Sequence, residues 1–435
     1  MNLYKKLLNF TPDFPSIRYG IYCGSNTKKE LLTIIKLIIK GIFFQNIKKF
    51  KYIQKFEKKF AKSTNQRFCL SYGSGRMALY SILKTMKINK GDEIIIPAFT
   101  CAVVPNAIIY TGAKPIYIDI DPKNFNINNN LIEKNITNKT IAIYVQHTFG
   151  VKCNMSLIFR LAKKYKLKII EDNAHFYEPK GKKNNYIYAS FYSLDHSKII
   201  NTHLGGVATT NNTSVYNKLK KDHERLYDLN KFNKIRILLS FLIELILFNK
   251  FLLWVGRPVF QILNYLKITF YFRDELSKNK PKYYPCKYNQ YLAAIGINQI
   301  KNIKKNLKHR VMLSLFFEKK IGWYKFNKNQ ISKNSWLRYS FLVKNREKFV
   351  KIFQKKFNLD IWYTSIFEGR DKNYRDIKYK IGSCPTAEYV AKHIVNFPTH
   401  LKVTSQAYED FFNNNWKWIK NEINYKTLVK KKDMK

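Results

Sequence analysis

From residue 66 to about residue 210, short β-rich runs alternate with stretches of helical spacing, and this alternation constrains the chain more than any other feature. The runs are FCLSYG, EIIIPAF, KPIYIDI, TIAIYVQHTF, LKIIEDN, YASFYSL and GGVATT. Between several of them lie helical patterns: RMALYSILKTMK, AVVPNAIIY and MSLIFRLAKKYK. Parallel strands need a long crossover, usually a helix, so the alternation predicts a largely parallel sheet covered on both faces. Continuously apolar strands fit that burial. About seven strands make a large α/β domain whose ligands sit at the carboxyl ends of the strands.

The length of 435 residues leaves room for a second domain. Upstream, FKYIQKFEKKFAKST spaces Phe50, Ile53, Phe56 and Phe60 as a helix leading into the first strand. The expected division is an N-terminal helical segment (1–65), a large α/β domain (66–236), an apolar insert (237–275) and a smaller C-terminal α+β domain (276–435). The insert is very apolar from Ile237 to Phe272, but Glu244, then Asn249-Lys250, then Arg257-Pro258 interrupt it. Its first apolar portion falls short of the roughly 20 residues that span a bilayer. Three readings stand: buried helices at a dimer interface, a membrane-surface element flanked by lysines, and a true span. LLTIIKLIIKGIFF, near residue 35, has lysines at helical spacing and allows the same surface reading.

A formal charge of +50 ordinarily points to nucleic acid or an acidic membrane. Lysine, asparagine and isoleucine are all abundant and scattered, however, as in the proteins of AT-rich genomes. A nucleic-acid footprint needs clustering, so no nucleic-acid partner is expected. Cys23, Cys69, Cys101, Cys153, Cys286 and Cys384 lie far apart without zinc-ligand spacing, which predicts free thiols and no metal site. The opening MNLYKKLLNFTPDFPSIRYG reads as a poor secretory signal. The expected location is the cytoplasm, at the inner face of the membrane if the apolar segments meet lipid.

Three places could carry chemistry. Asp172 ends a buried apolar strand, where it is either a site carboxylate or a helix N-cap. Lys198 follows YASFYSL and precedes Gly205-Gly206; one lysine in so lysine-rich a chain means little except by its position relative to Asp172 and the glycines. Ser74, Gly75 and Arg76 form a turn that feeds a helix, a natural anion site. Pyridoxal phosphate (PLP) asks for such a set: an amine for its aldehyde, a carboxylate for its ring nitrogen, and amides and hydroxyls for its phosphate.

The run YSLDHSK resembles the active-site motif of the DegT/DnrJ/StrS aminotransferases, PLP enzymes of fold type I acting mostly on nucleotide sugars. Gly205-Gly206, EDNAH, GSGRMAL, GDEIIIPAFT, GAKPIYIDIDP, HTFG, FEKKFA and NFPTHLKVT resemble its other signatures, from about residue 50 to residue 410. The resemblance implies a Schiff-base role and proton transfer for Lys198, and pairing of Asp172 with the pyridinium. It puts His175 near the phenolic oxygen, and Ser193 with the amides of Gly75 and Arg76 on the phosphate. Cys101 stands where an aromatic often stacks on the ring, with Phe99 as the nearby candidate. Leu204, beside His203, replaces an acidic residue before Gly-Gly, and Arg76 replaces a threonine. AAIG-x-x-Q resembles the segment that reaches a neighbouring subunit's cofactor, which makes Asn289 a candidate contact across a homodimer with shared sites. The implied reaction moves an amino group, from glutamate by analogy, onto a keto-sugar in surface polysaccharide or amino-sugar synthesis. A sugar dehydratase of the same fold would bear histidine at the lysine position. A non-catalytic, basic, membrane-associated binding protein is the reading from another class.

Overall fold

In the computed structural model the described residues are 28–43 and 51–423, less 182–183, 249–250, 271, 273–276, 278, 354–355, 358, 360 and 371–372. Helices α1 (Lys28–Phe43) and α2 (Tyr52–Thr64) lead into β1 (Phe68–Tyr72) and α3 (Gly75–Lys84). Then come β2 (Glu93–Pro97), α4 (Val103–Ile109), β3 (Lys114–Ile118), β4 (Thr140–Gln146), α5 (Met155–Lys164), β5 (Lys168–Asp172), β6 (Ile187–Ser193) and β7 (Gly206–Thr210). Each of the seven expected runs is a strand of one sheet, in the order β1-β7-β6-β5-β4-β2-β3. The pairs from β3 to β6 are parallel, and β7 runs antiparallel to β6 and β1. The carboxyl ends of β1, β5 and β6 therefore share one edge with the start of β7. Both faces are buried: Leu70, Ile94, Ala142 and Ile170 pack on one side, and Ile95, Ile143, Val145 and Ile169 on the other.

After α6 (Thr213–Glu224), the apolar insert forms a pair of helices, α7 (Lys231–Leu247) and α8 (Leu253–Tyr265), with α7 beginning ahead of residue 237. Ile237, Leu238 and Phe241 of α7 join Ile34 and Leu37 of α1 and Phe56 and Phe60 of α2 in one cluster. Among the described residues no helix is long and apolar enough to cross a membrane, which removes the spanning reading there.

The 31-residue α9 (Gln290–Lys320) serves two bodies. Its first turns pack on α2, where Gly296 has no room for a side chain because a Cβ would lie 2.5 Å from the Phe56 ring. Its last turns carry Leu313 and Phe317 into the core of the small domain. That domain comprises α10 (Lys328–Ser332), β8 (Arg338–Leu342), α11 (Arg346–Phe353), α12 (Pro385–His393), β9 (Ile394–Pro398) and α13 (Ser405–Glu422), with β8 and β9 antiparallel. A short parallel pairing of Phe367–Glu368 with Thr100–Cys101 ties it to the edge where the strands end.

Candidate active site

Asp172 is the last residue of β5 and is buried. No helix follows it, so the N-cap reading fails; its Oδ1 accepts the Ala174 amide at 2.7 Å and its Oδ2 accepts the Tyr144 hydroxyl. Burial pushes its carboxyl pKa up, against the pull of these hydrogen bonds and of Lys198. Tyr144 sits one strand over on β4, a residue the sequence reading missed. Its signal was available: a hydroxyl inside a doubly buried strand needs a polar partner, and Asp172 lies opposite Gln146, two residues on.

Lys198 lies in the loop between β6 and β7, its amide bonded to the Asp195 carbonyl at 3.0 Å. Burial lowers its amine to about 8; Asp195 opposes this, and the nearby Arg338 guanidinium adds to it. Asp195 pairs with His196 at 2.7 Å. Burial works against both charges, yet the pairing keeps the Asp195 carboxyl below its usual range and holds His196 up at about 9. Lys198 and Asp172 act on each other electrostatically across the edge of the sheet.

His175 is buried, and burial takes its pKa well down, so the ring is neutral. Its Nδ1 accepts the Phe149 amide at 3.2 Å, which leaves the proton on Nε2. The ring stacks on Phe149 at 5.9 Å and on Trp362 at 5.3 Å. The Lys198 ammonium lies 4.2 Å from the centre of the same indole, and the Arg338 guanidinium 3.6 Å. Trp362 and the buried Arg338 come from the small domain, and nothing in the local sequence marked them.

The expected anion turn is built as a cradle. Ser74 stands extended at the N-terminus of α3; its carbonyl accepts the Ala78 amide at 3.2 Å, but its side chain bonds no backbone amide of the helix. Its Oγ is buried and has no hydrogen-bond partner. A Cβ on Gly75 would lie 3.0 Å from that of Ser193, and one on Gly206 would lie 2.3 Å from the Ser74 carbonyl. These glycines let the ends of β1 and β6 and the start of β7 meet. Arg76 is half-buried, and its charge is felt at Cys101 and Asp195, so it faces the site.

Cys101 also faces the site, electrostatically coupled to Lys198, with its Sγ 3.6 Å from the Glu368 carbonyl. Phe99 does not take the stacking place: it is fully buried in the small-domain core, edge-on to Phe149 and Tyr363. Asn289 caps α9, its Oδ1 accepting the Tyr291 amide at 3.0 Å while its Nδ2 donates to the Lys234 carbonyl at 3.0 Å. Both ends of its side chain are thus engaged within the subunit. Leu204 is core, and the neighbouring His203 pairs through Nδ1 with Glu244 of α7 at 2.6 Å, both fully buried. The insert thus brings a carboxylate to the lysine loop.

Residues 30–228 match the DegT/DnrJ/EryC1/StrS aminotransferase family. This stretch belongs to that family. GDP-perosamine synthase of Escherichia coli O157:H7 is 39% identical over 171 residues, 38% of this chain and 47% of that protein. An uncharacterised protein of Methanocaldococcus jannaschii is 28% identical over 82% of this chain and 88% of its own length. The matches to perosamine synthases thus span about half the length of those relatives. Among solved structures, NtdA of Bacillus subtilis with bound PMP has a TM-score of 0.69 at 18% identity, covering 97% of this chain and 89% of NtdA. The dehydratase ColD has a TM-score of 0.65 at 18% identity, over 92% of this chain and 99% of ColD. These likenesses establish the PLP fold-type I architecture. The insert at 237–275 and the small domain lie beyond the matched family residues.

Proposed function

We propose that the chain is a PLP-dependent aminotransferase of the cytoplasm that transfers an amino group, from glutamate, to a keto-sugar carried on a nucleotide. The observation that carries this reading is the meeting of a half-buried amine lowered to about 8, a buried carboxylate and an orphaned hydroxyl at a helix N-terminus on one sheet edge. The family match and the named relatives supply the class of reaction and of substrate.

The residues fit the cofactor. Ser74, Gly75, Arg76 and Ser193 would hold its phosphate, satisfying the Ser74 Oγ, and Asp172 would hold its ring nitrogen. PLP supplies an aldehyde that accepts an amine and a ring that draws electrons from the carbon beside it. Lys198, whose lowered pKa of about 8 leaves a usable fraction of the amine neutral at physiological pH, would take a proton at Nζ from the donor's α-carbon and, in the second half of the cycle, deliver one to the carbon that is aminated. Tyr144 and the Ala174 amide fix the Asp172 carboxylate, and His175 presents an Nε2 donor. Arg338, one indole away from Lys198, offers a guanidinium to a substrate's anionic group. We place the enzyme as a homodimer with shared sites. Lys198 itself, and the commitment of His196 to Asp195, tell against the dehydratase reading.

Absorbance decides between enzyme and binding protein. Purified protein should carry or take up PLP with a visible band that borohydride bleaches. Lys198→Ala should lose the band and at least about a thousandfold in turnover. A parent that takes up no PLP under any condition would overturn the proposal. A panel of amino-sugar nucleotides, read by spectral shift and mass, then identifies the sugar.

A further inference from the structure

Helix α1 and the α7–α8 pair are nearly two hundred residues apart in sequence but pack together, and what they turn outward is unusual. Of the sixteen large hydrophobic side chains exposed among the described residues, eleven lie in residues 28–43 and 231–268. They include Leu32 (58% exposed), Phe251 (72%) and Tyr265 (69%), together with Ile39, Ile246 and Leu266. Scattered single exposures need no explanation; this concentration does.

The charge of the same two stretches is one-sided. They hold ten lysines and arginines and two acids, Glu30 and Glu244, both buried. Lys36, Lys231 and Lys267 are exposed, while Lys234 pairs with Asp228 just outside the stretch. A second copy of this chain fits poorly here, because in a two-fold contact the patch meets itself and opposes cation to cation. Nucleic acid would leave the phenylalanine and leucines without a partner. Apolar side chains among cations, on helices too short to span, suit the headgroup boundary of an anionic bilayer.

We infer that α1 and the α7–α8 pair form a docking face for an anionic membrane surface. The inference is independent of the chemistry at Lys198. Sedimentation of the full chain with vesicles tests it. The protein should bind phosphatidylcholine vesicles containing phosphatidylglycerol, not phosphatidylcholine alone, and salt should weaken binding. Ile246→Ser, Phe251→Ser and Leu252→Ser together should cut binding at least about tenfold. All three side chains are exposed, so the fold should persist. As a second arm, Lys36→Glu with Lys267→Glu should weaken binding and flatten its salt dependence. Failure to bind anionic vesicles overturns the inference, as does a triple variant that binds like the parent. So does a triple variant that dissociates a dimer in sedimentation equilibrium while vesicle binding is unchanged, since the face would then be a self-interface.

Discussion

At Lys198 a single side chain carries both the chemistry and a measurable cost to stability. Its folded pKa, about 8, lies below the ordinary 10.5, so between those values the unfolded chain binds more protons than the folded one. Stability therefore rises with pH across that window, by on the order of 1.4 kcal/mol per unit before relaxation and solvent access reduce it. Lys198→Met should accordingly stabilise the cofactor-free protein at pH 7, and the gain should shrink towards pH 10.5. Denaturant midpoints of parent and variant across pH check this; a gain independent of pH would mean that the amine is not held in a desolvated site. The residues legible in the sequence share one property: Asp172 and Ser193 end strands, and Ser74 and Lys198 lie two and five residues beyond a strand's end. Arg338 and Trp362 escaped because they reach the site only once β8 and the segment after α11 fold across from the other domain. Phe99 misled for the opposite reason: it stands at the right distance along the chain but faces the core.

Two elements bring groups to the site from outside the sheet. Helix α7 delivers Glu244 to His203, five residues beyond the lysine, in a contact fully closed to solvent. Breaking such a pair from one side strands a buried polar group, so Glu244→Ala should cost about 3–5 kcal/mol. The double variant with His203→Phe, which removes both polar partners, should cost clearly less than the two single changes summed. Chemical denaturation of the four proteins in this cycle measures the coupling; additive costs would show that the contact contributes nothing. The second element is the segment bearing Trp362, whose indole rests on His175 and under the Lys198 ammonium. A planar ligand held between Lys198 and Asp172 must share or take over those faces. Adding PLP should therefore change Trp362 fluorescence, measured as the difference between parent and Trp362→Phe among the chain's six tryptophans. Identical responses in the two proteins would place the ligand away from the indole.

Across the whole molecule, the legible part of the fold and the hidden part have different physical origins. Strands buried on both faces have little choice of composition, so β1 to β7 stand out as apolar runs broken by helices. The seam between domains leaves no such mark, because α9 passes through it as one uninterrupted helix that changes partners midway. Beside the seam stands Arg310, fully buried in the second half of α9. Its Nη1 donates to the carbonyls of Trp336 and Leu337, at 3.2 and 2.9 Å, and to the Thr399 hydroxyl at 3.0 Å, while its Nε donates to Asn306. One guanidinium thus serves the turns leading into β8 and out of β9, and burial together with Arg338 lowers its own pKa to about 9. The Thr399 hydroxyl is itself bonded to the Trp336 carbonyl, so part of the network can survive without the arginine, but the Leu337 carbonyl and Asn306 lose their charged donor. Arg310→Leu should therefore lower the unfolding free energy by about 2–3 kcal/mol, and because β8 carries Arg338, it should also raise the KM for the anionic substrate more than it lowers kcat. An equal loss in KM and kcat, or a stability change below about 0.5 kcal/mol, would mean that the two domains are held in register by their apolar contacts and not by this side chain.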